Sequence, residues 1–355
     1  MKLLYLTNGV SGSGGLEKVL SIKTEYFCSQ KKHEVGIITL NEENKQPFFN
    51  FNESIKFYNI NLSTENRVQY YLEYIRKVND IVEDYSPDII LVCDDGLKGL
   101  FVPLWLKKKT KTIYERHAAL SLNLKSKILA NLAKKLVSVY DGFVVLTPTC
   151  KEDWGNRSNI VVIPNPLEHI PKNKTSLSNK RAICVGTLNH NKGYDLLLES
   201  LALIKNEDWH IDIYGKGDPE EYINLVKKLD LSLEKICFKG TTKNIANEYL
   251  SSDFLILPSR TEGFGMVLIE AMSYGLPCIA FDCPNGPKHL IDHKKNGFLV
   301  KNGDVNEMAY YIKTMLNTQS EQMQIMSSYA QNKINSYTMD EIGILWENLY
   351  LKLVN

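Results

Sequence analysis

Two glutamates stand eight residues apart in and beside an apolar segment, which raises the question of what they bind. Residues 262–277 read E-G-F-G-M-V-L-I-E-A-M-S-Y-G-L-P, and the run 266–274 is apolar on nearly every side, which predicts a buried helix. Glu262 precedes this helix and Glu270 lies within it. Because a buried, unpaired carboxylate is costly, each glutamate should have a partner. The two oxygens of a carboxylate can accept hydrogen bonds from a pair of sugar or ribose hydroxyls.

A glycine-rich loop, G-V-S-G-S-G-G-L-E-K, follows the first apolar run of the chain. At Gly14 and Gly15, backbone N–H groups would approach a phosphate closely, just ahead of a helix whose N-terminus favours an anion. The loop matches neither the Walker A pattern nor the dinucleotide pattern G-x-G-x-x-G. The alternative interpretation is a tight turn that binds no ligand.

Two further loops carry single residues of interest. Lys192 lies in V-G-T-L-N-H-N-K-G-Y-D, where a lysine ahead of a helix would meet a diphosphate as a compact charge. His117 closes the stretch Y-E-R-H after a strand-like run. Taken alone, such a lysine is more often exposed to solvent, and a lone histidine more often belongs to the surface or the core.

These loops follow short β-branched runs that alternate with longer helical patterns. Such alternation predicts an α/β fold of parallel sheets covered by helices, with ligands at the carboxyl ends of the strands. We expect two facing Rossmann-like, doubly wound domains with a cleft between them. The predicted divisions are a first domain, a linker, a second domain and a terminal helix that crosses back to the first domain: 1–165, 166–180, 181–337 and 338–355. The helix would pack through the stripe Ile342, Leu345, Trp346, Leu349, Tyr350 and Leu353.

Composition excludes several classes of protein. The 355 residues are 44% hydrophobic and 23% charged with a net charge of +1, so the chain as a whole is not a polyanion binder. Seven cysteines without a C-x-x-C pair indicate reduced thiols rather than a disulfide or zinc framework. The sequence shows no signal peptide and no stretch long enough to span a membrane, which predicts a cytoplasmic protein.

The segment 97–140 is locally basic, with ten lysines or arginines and one acid. A local basic face favours an anionic partner. The alternative is a lysine-rich surface that faces only solvent.

The stretch E-G-F-G-M-V-L-I-E resembles the E-x7-E motif of retaining GT-B glycosyltransferases, in particular glycosyltransferase family 4 of the bacterial surface-polysaccharide type. The resemblance covers essentially the whole chain. It also rests on four neighbouring motifs: G-S-G-G-L-E-K, V-I-P-N-P, K-G-Y-D-L-L-L-E-S-L and N-G-P-K-H-L-I…N-G-F-L-V. It implies an acceptor-binding first domain and a second domain that binds a nucleotide-sugar.

The resemblance also implies roles for individual residues. Glu262 would hold hydroxyls of the donor sugar, and Glu270 would hold the two ribose hydroxyls. Lys192 would neutralise the diphosphate, and His117 would face the reacting centre. The resemblance places further donor contacts, largely through backbone, at Gly14, Gly15, Thr241, Thr242, Gly263, Phe264, Gly265, Met266 and Val267.

One position departs from the family pattern. The family has an arginine after the glycine of V-G-R-L, where this chain has Thr187. The substitution removes half of the expected arginine–lysine clamp on the diphosphate. Arg260, beside the E-x7-E motif, is the candidate replacement.

By this resemblance, a hexose or N-acetylhexosamine passes from a UDP-sugar to a saccharide acceptor, expected to be lipid-linked, in capsule, O-antigen or glycan assembly. The chain has no D-x-D pattern, so we expect no metal and no cofactor, only protein charges and helix termini to stabilise the leaving diphosphate. The leaving phosphate would accept the proton of the acceptor, with retention at the anomeric carbon. The segment 97–140 would contact an anionic membrane surface peripherally, on the inner face of the cytoplasmic membrane, and no nucleic acid is expected.

Two other functions remain open at this stage. A UDP-sugar 2-epimerase-like isomerase shares the two-domain plan but needs further acid–base groups. A non-catalytic GT-B scaffold subunit would keep the fold without the chemistry. An NAD oxidoreductase does not fit, because the glycine fingerprint fails.

Overall fold

The computed structural model describes residues 1–62, 64, 66–94, 96, 98–118 and 126–355, apart from the side chain of residue 127. The chain divides into two compact units. The first comprises Met1–Glu168 together with Met339–Asn355, and the second comprises His169–Thr338.

The first unit contains a parallel sheet of seven strands in the order β3-β2-β1-β4-β5-β6-β7. Its strands are β1 (Lys2–Thr7), β2 (Glu34–Leu40), β3 (Lys56–Ile60), β4 (Ile89–Cys93), β5 (Lys111–Arg116), β6 (Gly142–Val145) and β7 (Ile160–Val162). Its helices before residue 168 are α1 (Gly15–Ser29), α2 (Arg67–Tyr85), α3 (Val102–Trp105), α4 (Lys127–Leu136) and α5 (Pro148–Asp153), with 3-10 turns at Lys98–Phe101 and Val137–Val139.

The second unit contains a parallel sheet of six strands in the order β10-β9-β8-β11-β12-β13. Its strands are β8 (Arg181–Val185), β9 (His210–Tyr214), β10 (Ile236–Gly240), β11 (Phe254–Leu257), β12 (Cys278–Phe281) and β13 (Gly297–Val300). Its helices are α6 (Tyr194–Ala202), α7 (Glu220–Lys228), α8 (Ile245–Leu250), α9 (Met266–Ser273), α10 (Pro287–Leu290), α11 (Val305–Leu316) and α12 (Ser320–Ile334), with 3-10 turns at His190–Lys192 and Asn335–Tyr337.

Both sheets are buried on both faces, as parallel sheets must be when helices cover them. In β1, Leu4 and Leu6 pack on one side against α2, while Leu3 and Tyr5 pack on the other side against α1. Successive side chains of a strand point to opposite faces, so each strand joins two apolar layers. These results confirm the predicted α/β class and its two Rossmann-like units.

The terminal helix α13 (Met339–Val354) belongs to the first unit. Its residues Ile342, Trp346 and Tyr350 are buried in the layer that α1 also covers. Leu345, predicted as part of the buried stripe, is instead 42% exposed. The backbone of α13 at Gly343 packs against the ring of Tyr26, so closely that a Cβ atom at this position would overlap the ring.

The predicted linker, 166–180, divides at residue 168, and its remaining residues pack on the second unit. The hydroxyl of Thr175 donates to the carbonyl of Ser252 at 2.5 Å, and the backbone N–H of Asn179 donates to Asp253 at 2.8 Å. These hydrogen bonds attach the later part of the segment to the second unit. In the part of the chain that the structure describes, no helix is both long and apolar enough to cross a bilayer.

Candidate functional site

Lys192 and Glu262 meet in the second unit, 70 residues apart in sequence. The Nζ atom of Lys192 lies 2.6 Å from Oε1 of Glu262, and the two side chains are 22% and 11% exposed. Lys192 follows β8 and Glu262 follows β11, which are neighbours in the sheet. The strand order reverses between these two strands, and this is where doubly wound sheets bind ligands. Glu262 is partly exposed, and Lys192 covers part of its carboxylate.

Backbone geometry holds these two loops together. The Asn189 side chain accepts a hydrogen bond from the Lys192 N–H at 3.2 Å and so caps the 3-10 turn. Gly193 then adopts φ +66°, and a Cβ there would overlap the carbonyl oxygen of Pro258. The Arg260 N–H donates to the carbonyl of Asn191 at 2.8 Å. Only glycine combines this backbone angle with so close an approach.

Arg260 has a partner of its own, which changes the role predicted for it. Its guanidinium donates two hydrogen bonds to Asp195, at 2.7 and 2.6 Å, and a third to the carbonyl of His190 at 2.7 Å. Burial raises the pKa of the Asp195 carboxyl, but Arg260 outweighs this effect and holds the pKa below its usual range. Arg260 therefore braces the Lys192 loop, and its guanidinium is paired with Asp195 rather than open in place of the arginine missing at Thr187.

The start of α9 presents the backbone that the resemblance assigned to the donor. Gly265 is the N-cap with φ +93°, and the residues from Gly263 to Val267 surround this helix end. Phe264 is buried, and its carbonyl oxygen lies against the loop that follows β12, since a Cβ at Gly286 would come within 2.8 Å of it. The first N–H groups of a helix have no acceptor within the helix, so they can bind an anion.

Glu270 lies on the single stripe of α9 that is not buried. Leu268, Ile269, Ala271 and Met272 are buried, whereas Met266, Val267 and Glu270 are half-exposed. The hydroxyl of Tyr249, on α8, donates to Oε2 of Glu270 at 3.2 Å. A charged residue can therefore occupy this largely buried helix, because the Glu270 carboxylate is both partly solvated and hydrogen-bonded.

Thr241 and Thr242 follow β10 and precede α8, the helix that carries Tyr249. Thr241 is exposed, and the Thr242 hydroxyl accepts from the N–H of Asn244 at 3.1 Å. The structure thus places these threonines in the β10–α8 loop, while the helix after that loop supports Glu270.

In the first unit, the glycine-rich loop leads into α1 with Gly14 as N-cap and Gly15 as first residue, both exposed. The carboxylate of Glu17 folds back over this loop. A Cβ at Gly12 would overlap its Oε1 atom, and a Cβ at Gly14 would lie 2.6 Å from its Oε2 atom. An acid three residues after an N-cap commonly turns back in this way. The predicted phosphate cradle therefore has a carboxylate against it in this structure.

His117 follows β5 and contacts Glu115, which in turn pairs with Lys23. Neither charged residue was predicted from the sequence as part of a site. The Nε2 atom of His117 lies 3.3 Å from Oε2 of Glu115, and the same oxygen lies 2.5 Å from Nζ of Lys23. Burial would raise the pKa of Glu115, but Lys23 and His117 lower it to about 2. The sequence pattern could have indicated that Lys23 is buried, because it lies between the apolar positions Leu20 and Phe27 on the buried side of α1.

Comparison with known proteins assigns the family. The model "Glycosyltransferase Family 4" matches residues 13–169, and "Glycosyl transferases group 1" matches residues 167–333. The chain is 30% identical to an "Uncharacterized glycosyltransferase" of Haemophilus influenzae, with 98% of this chain and 99% of that protein covered. It also superposes on the Anabaena protein HepE, solved in complex with UDP, with TM-score 0.80, 20% identity and coverage of 99% of this chain and 100% of that one. The chain belongs to the GT-B glycosyltransferases.

The transferase is also 27% identical to the lipopolysaccharide 1,6-galactosyltransferase of Escherichia coli strain K12, with 86% of each chain covered. The family assignment accounts for the loops that carry Lys192 and Glu262, because they lie at the carboxyl ends of the strands of the second sheet, and Glu270 lies on the helix that follows the second of these loops. The individual roles of these residues stay predictions.

The basic segment of the transferase, 97–140, is less uniform than its charge count indicated. Arg116 is buried, and its Nε–H donates to the carbonyl of Ala118 at 2.9 Å, so it adds nothing to a basic surface. Lys98 pairs with Asp94 at 3.6 Å, and Lys111 pairs with Asp141 at 3.2 Å. Lys125 lies outside the described residues.

One group of potential metal ligands comes together within the described ranges of the transferase: His210, Asp212 and Cys237. Asp212 is fully buried and already accepts from the guanidinium of Arg181, and the Nζ atom of Lys239 lies 3.5 Å from it. Two cations therefore balance this carboxylate. The group has the charge pattern of an ion-pair cluster, and it lies on β9 and β10 rather than in the loops after them.

Proposed function

We propose that the transferase moves a hexose or N-acetylhexosamine from a UDP-sugar to a saccharide acceptor, with retention at the anomeric carbon. The observation that carries this proposal is the contact between the Lys192 ammonium and the Glu262 carboxylate at the switch point of the second sheet. A cation suits a diphosphate, and a carboxylate suits sugar hydroxyls. Glu270, on the open stripe of the helix after Glu262, is the candidate for the ribose hydroxyls.

In the proposed mechanism the leaving diphosphate is stabilised by Lys192 and by the N–H groups at the start of α9. The acceptor hydroxyl attacks from the face that the diphosphate leaves, and a phosphate oxygen takes its proton. No covalent enzyme intermediate is involved. Consistent with this, burial and the nearby Glu262 raise the pKa of the Cys283 thiol to about 12, so that it is not a thiolate at neutral pH.

We also propose that transfer needs no metal ion. Lys192 and the α9 N-terminus supply positive potential where the diphosphate would lie, which supports this proposal. The test is the initial rate of transfer in EDTA and in added Mg²⁺. Equal rates are expected, and a rate that EDTA abolishes and Mg²⁺ restores would contradict metal independence.

The donor and acceptor classes follow from relatives rather than from geometry. HepE was solved with UDP, and the Escherichia coli relative is a lipopolysaccharide galactosyltransferase. A UDP-sugar and a lipid-linked saccharide are therefore the first substrates to try. A thermal-shift screen of UDP-sugars tests the donor, because a ligand at a hundred times its Kd stabilises the folded state by about 2.7 kcal/mol.

Contact with an anionic membrane is part of the proposal, and α4 is its candidate surface. Ile128 is 80% exposed, and Leu129 and Leu132 are also exposed on this helix, with Lys134 and Lys135 in its last turn. Apolar side chains flanked by lysines suit the surface of an anionic bilayer.

Co-sedimentation with vesicles tests this surface. The protein should sediment with vesicles rich in phosphatidylglycerol and not with neutral phosphatidylcholine vesicles, and I128E should abolish the difference. I325E is the matched control, since Ile325 is 44% exposed on α12 in the second unit. Equal binding to both vesicle types, or equal loss in both variants, would contradict a role for α4.

Two alternatives are separated by substrates and variants. An epimerase-like isomerase would convert UDP-N-acetylglucosamine without an acceptor, whereas a transferase releases UDP only when an acceptor is present. A scaffold subunit would do neither. Glu262→Ala and His117→Ala should each abolish transfer with the fold intact, while Glu321→Ala, an exposed change on α12, should not. Full activity in either of the first two variants would contradict the proposed site.

A further inference from the structure

A buried ion pair lies directly beneath His117 and contacts its ring. Lys23 and Glu115 are 1% and 2% exposed, and their charged atoms are 2.5 Å apart. The Nε2 atom of His117 lies 3.3 Å from the same carboxylate oxygen, Oε2, and its side chain is 10% exposed. Lys23 comes from α1, whereas Glu115 and His117 come from the end of β5 and just beyond it. Lys23 and His117 therefore share one oxygen of Glu115.

The terminal helix closes this pair off from water. The Lys23 ammonium lies 3.8 Å from the ring centroid of Trp346 on α13 and 5.5 Å from that of Tyr5 on β1. Aromatic faces attract a desolvated ammonium. The hydroxyls of Tyr5 and Tyr350 are 3.5 Å apart beside the pair. The ammonium is therefore held between an ionised carboxylate and an aromatic wall, in one position.

Such a pair is poorly explained by stability alone. Taking two charges out of water costs nearly as much as their attraction returns, so apolar replacements of similar volume are often neutral or stabilising. The Glu115 carboxyl keeps its charge near neutral pH, because Lys23 and His117 hold its pKa far below the pH of the cell. An ionised carboxylate only accepts hydrogen bonds, so the Nε2 atom of His117 must donate to it.

We propose that Lys23 and Glu115 are positioning residues that hold His117 in its Nε2–H form and in one ring orientation. In the neutral ring, Nδ1 then carries the lone pair and can only accept a hydrogen bond. The hydrogen bond to a fixed acceptor selects the tautomer, as it does for histidines oriented by carboxylates in other sites. The catalytic part of this inference rests on the proposed function of His117, whereas the tautomer does not.

The decisive variants form a double-mutant cycle: K23M, E115L and K23M/E115L. Each single change leaves one buried charge without its partner, so both should lower the urea midpoint. The double change removes both charges at similar volume and should regain most of the lost stability. If the pair were only structural, the double variant would regain activity along with stability. If the pair positions His117, stability returns and activity does not.

Three measurements separate these outcomes. In the double variant, kcat for transfer should fall between tenfold and about a hundredfold, the scale expected for a misoriented catalytic group, while KM for the donor changes less than about twofold. The ¹⁵N NMR spectrum of histidine rings should show a single Nε2–H form for His117 in the native protein and an averaged pair of tautomers in the double variant. The signal is assigned by its loss in H117N.

One control variant and one fallback variant complete the test. E347Q removes another partly buried pair on α13, His33–Glu347 at 2.8 Å, and should leave the His117 signal and kcat unchanged. If K23M/E115L does not fold, K23M/E115Q serves, since without the ammonium the amide can present either its donor or its acceptor to His117 and no longer selects one tautomer. An unchanged single tautomer in either variant would overturn the inference. A native Nε2–H signal in a protein without transfer activity would instead contradict the proposed function and leave the positioning role standing.

Discussion

Replacing Glu262 by glutamine should tighten the binding of UDP while slowing transfer. The Lys192 ammonium is bound to the Glu262 carboxylate at 2.6 Å. We expect a diphosphate to draw Lys192 away from this partner, which leaves Glu262 for the hydroxyls of the donor sugar. UDP has no sugar, so it gains from the lysine and nothing from the glutamate.

The magnitude follows from the two hydrogen bonds compared. Both contacts keep the charged ammonium, so they differ by the attraction between the two charges, which contributes up to about 1 kcal/mol in a partly exposed pair. Lys192 in E262Q is therefore released more easily by up to about 1 kcal/mol, which is up to about fivefold in affinity. For the complete donor, the lost charged hydrogen bond to a sugar hydroxyl should lower kcat/KM by about ten- to a hundredfold.

Titration calorimetry with UDP, beside initial rates with the UDP-sugar, measures both effects. E270Q is the matched control, because it neutralises the other glutamate of the motif, which has Tyr249 rather than Lys192 as its partner. E270Q should bind UDP more weakly than the native protein, and E262Q more tightly. Unchanged or weaker UDP binding by E262Q would refute the exchange of Lys192 between carboxylate and diphosphate.

Two further predictions concern stability. Gly193→Ala should lower the free energy of unfolding in urea by at least about 2 kcal/mol and abolish UDP binding, because a positive φ is strained and the Cβ would overlap the carbonyl of Pro258. Gly303→Ala is the control: its φ of +78° is also strained, but the space around it is open, so the variant should lose only about 1–2 kcal/mol. The pKa of Glu115 falls from 4.5 to about 2 on folding, which contributes at most about 3 kcal/mol to the free energy of unfolding. This stabilisation is present above pH ~4.5 and is lost as the pH falls through about 2. Urea midpoints between pH 5 and 3 should therefore fall less steeply in K23M than in the native protein, and equal slopes would contradict this assignment.

Most of the fold was predictable because its strands are buried on both faces. Such strands appear as continuous apolar runs that need no knowledge of their neighbours. The exception is β3, K-F-Y-N-I, whose composition does not predict a strand. It is an edge strand whose residues are mostly exposed, so its alternating composition resembles that of a loop.

Local sequence predicted the start of α9 and the loops after the strands, but not the contacts made between them. Lys192 and Glu262 are 70 residues apart, and Lys23 and Glu115 are 92 apart. Each pair joins a strand end to a different element, so only the order of strands in the sheet brings its members together. Arg260 illustrates the same limit, because its neighbours in sequence suggested a ligand and its neighbours in space include Asp195.

We propose that paired charges in the second unit let a loop set without the family arginine bind a diphosphate. Lys192 is balanced by Glu262, and Arg260 is balanced by Asp195, so these four charges sum to zero without ligand. A diphosphate would gain little binding energy if both ion pairs, Lys192–Glu262 and Arg260–Asp195, stayed intact. It gains once Lys192 turns from Glu262 to the phosphate, and the freed carboxylate then needs hydrogen-bond donors. A sugar supplies those donors and free phosphate does not, so under this proposal the Lys192–Glu262 pair would favour the complete donor over its fragments.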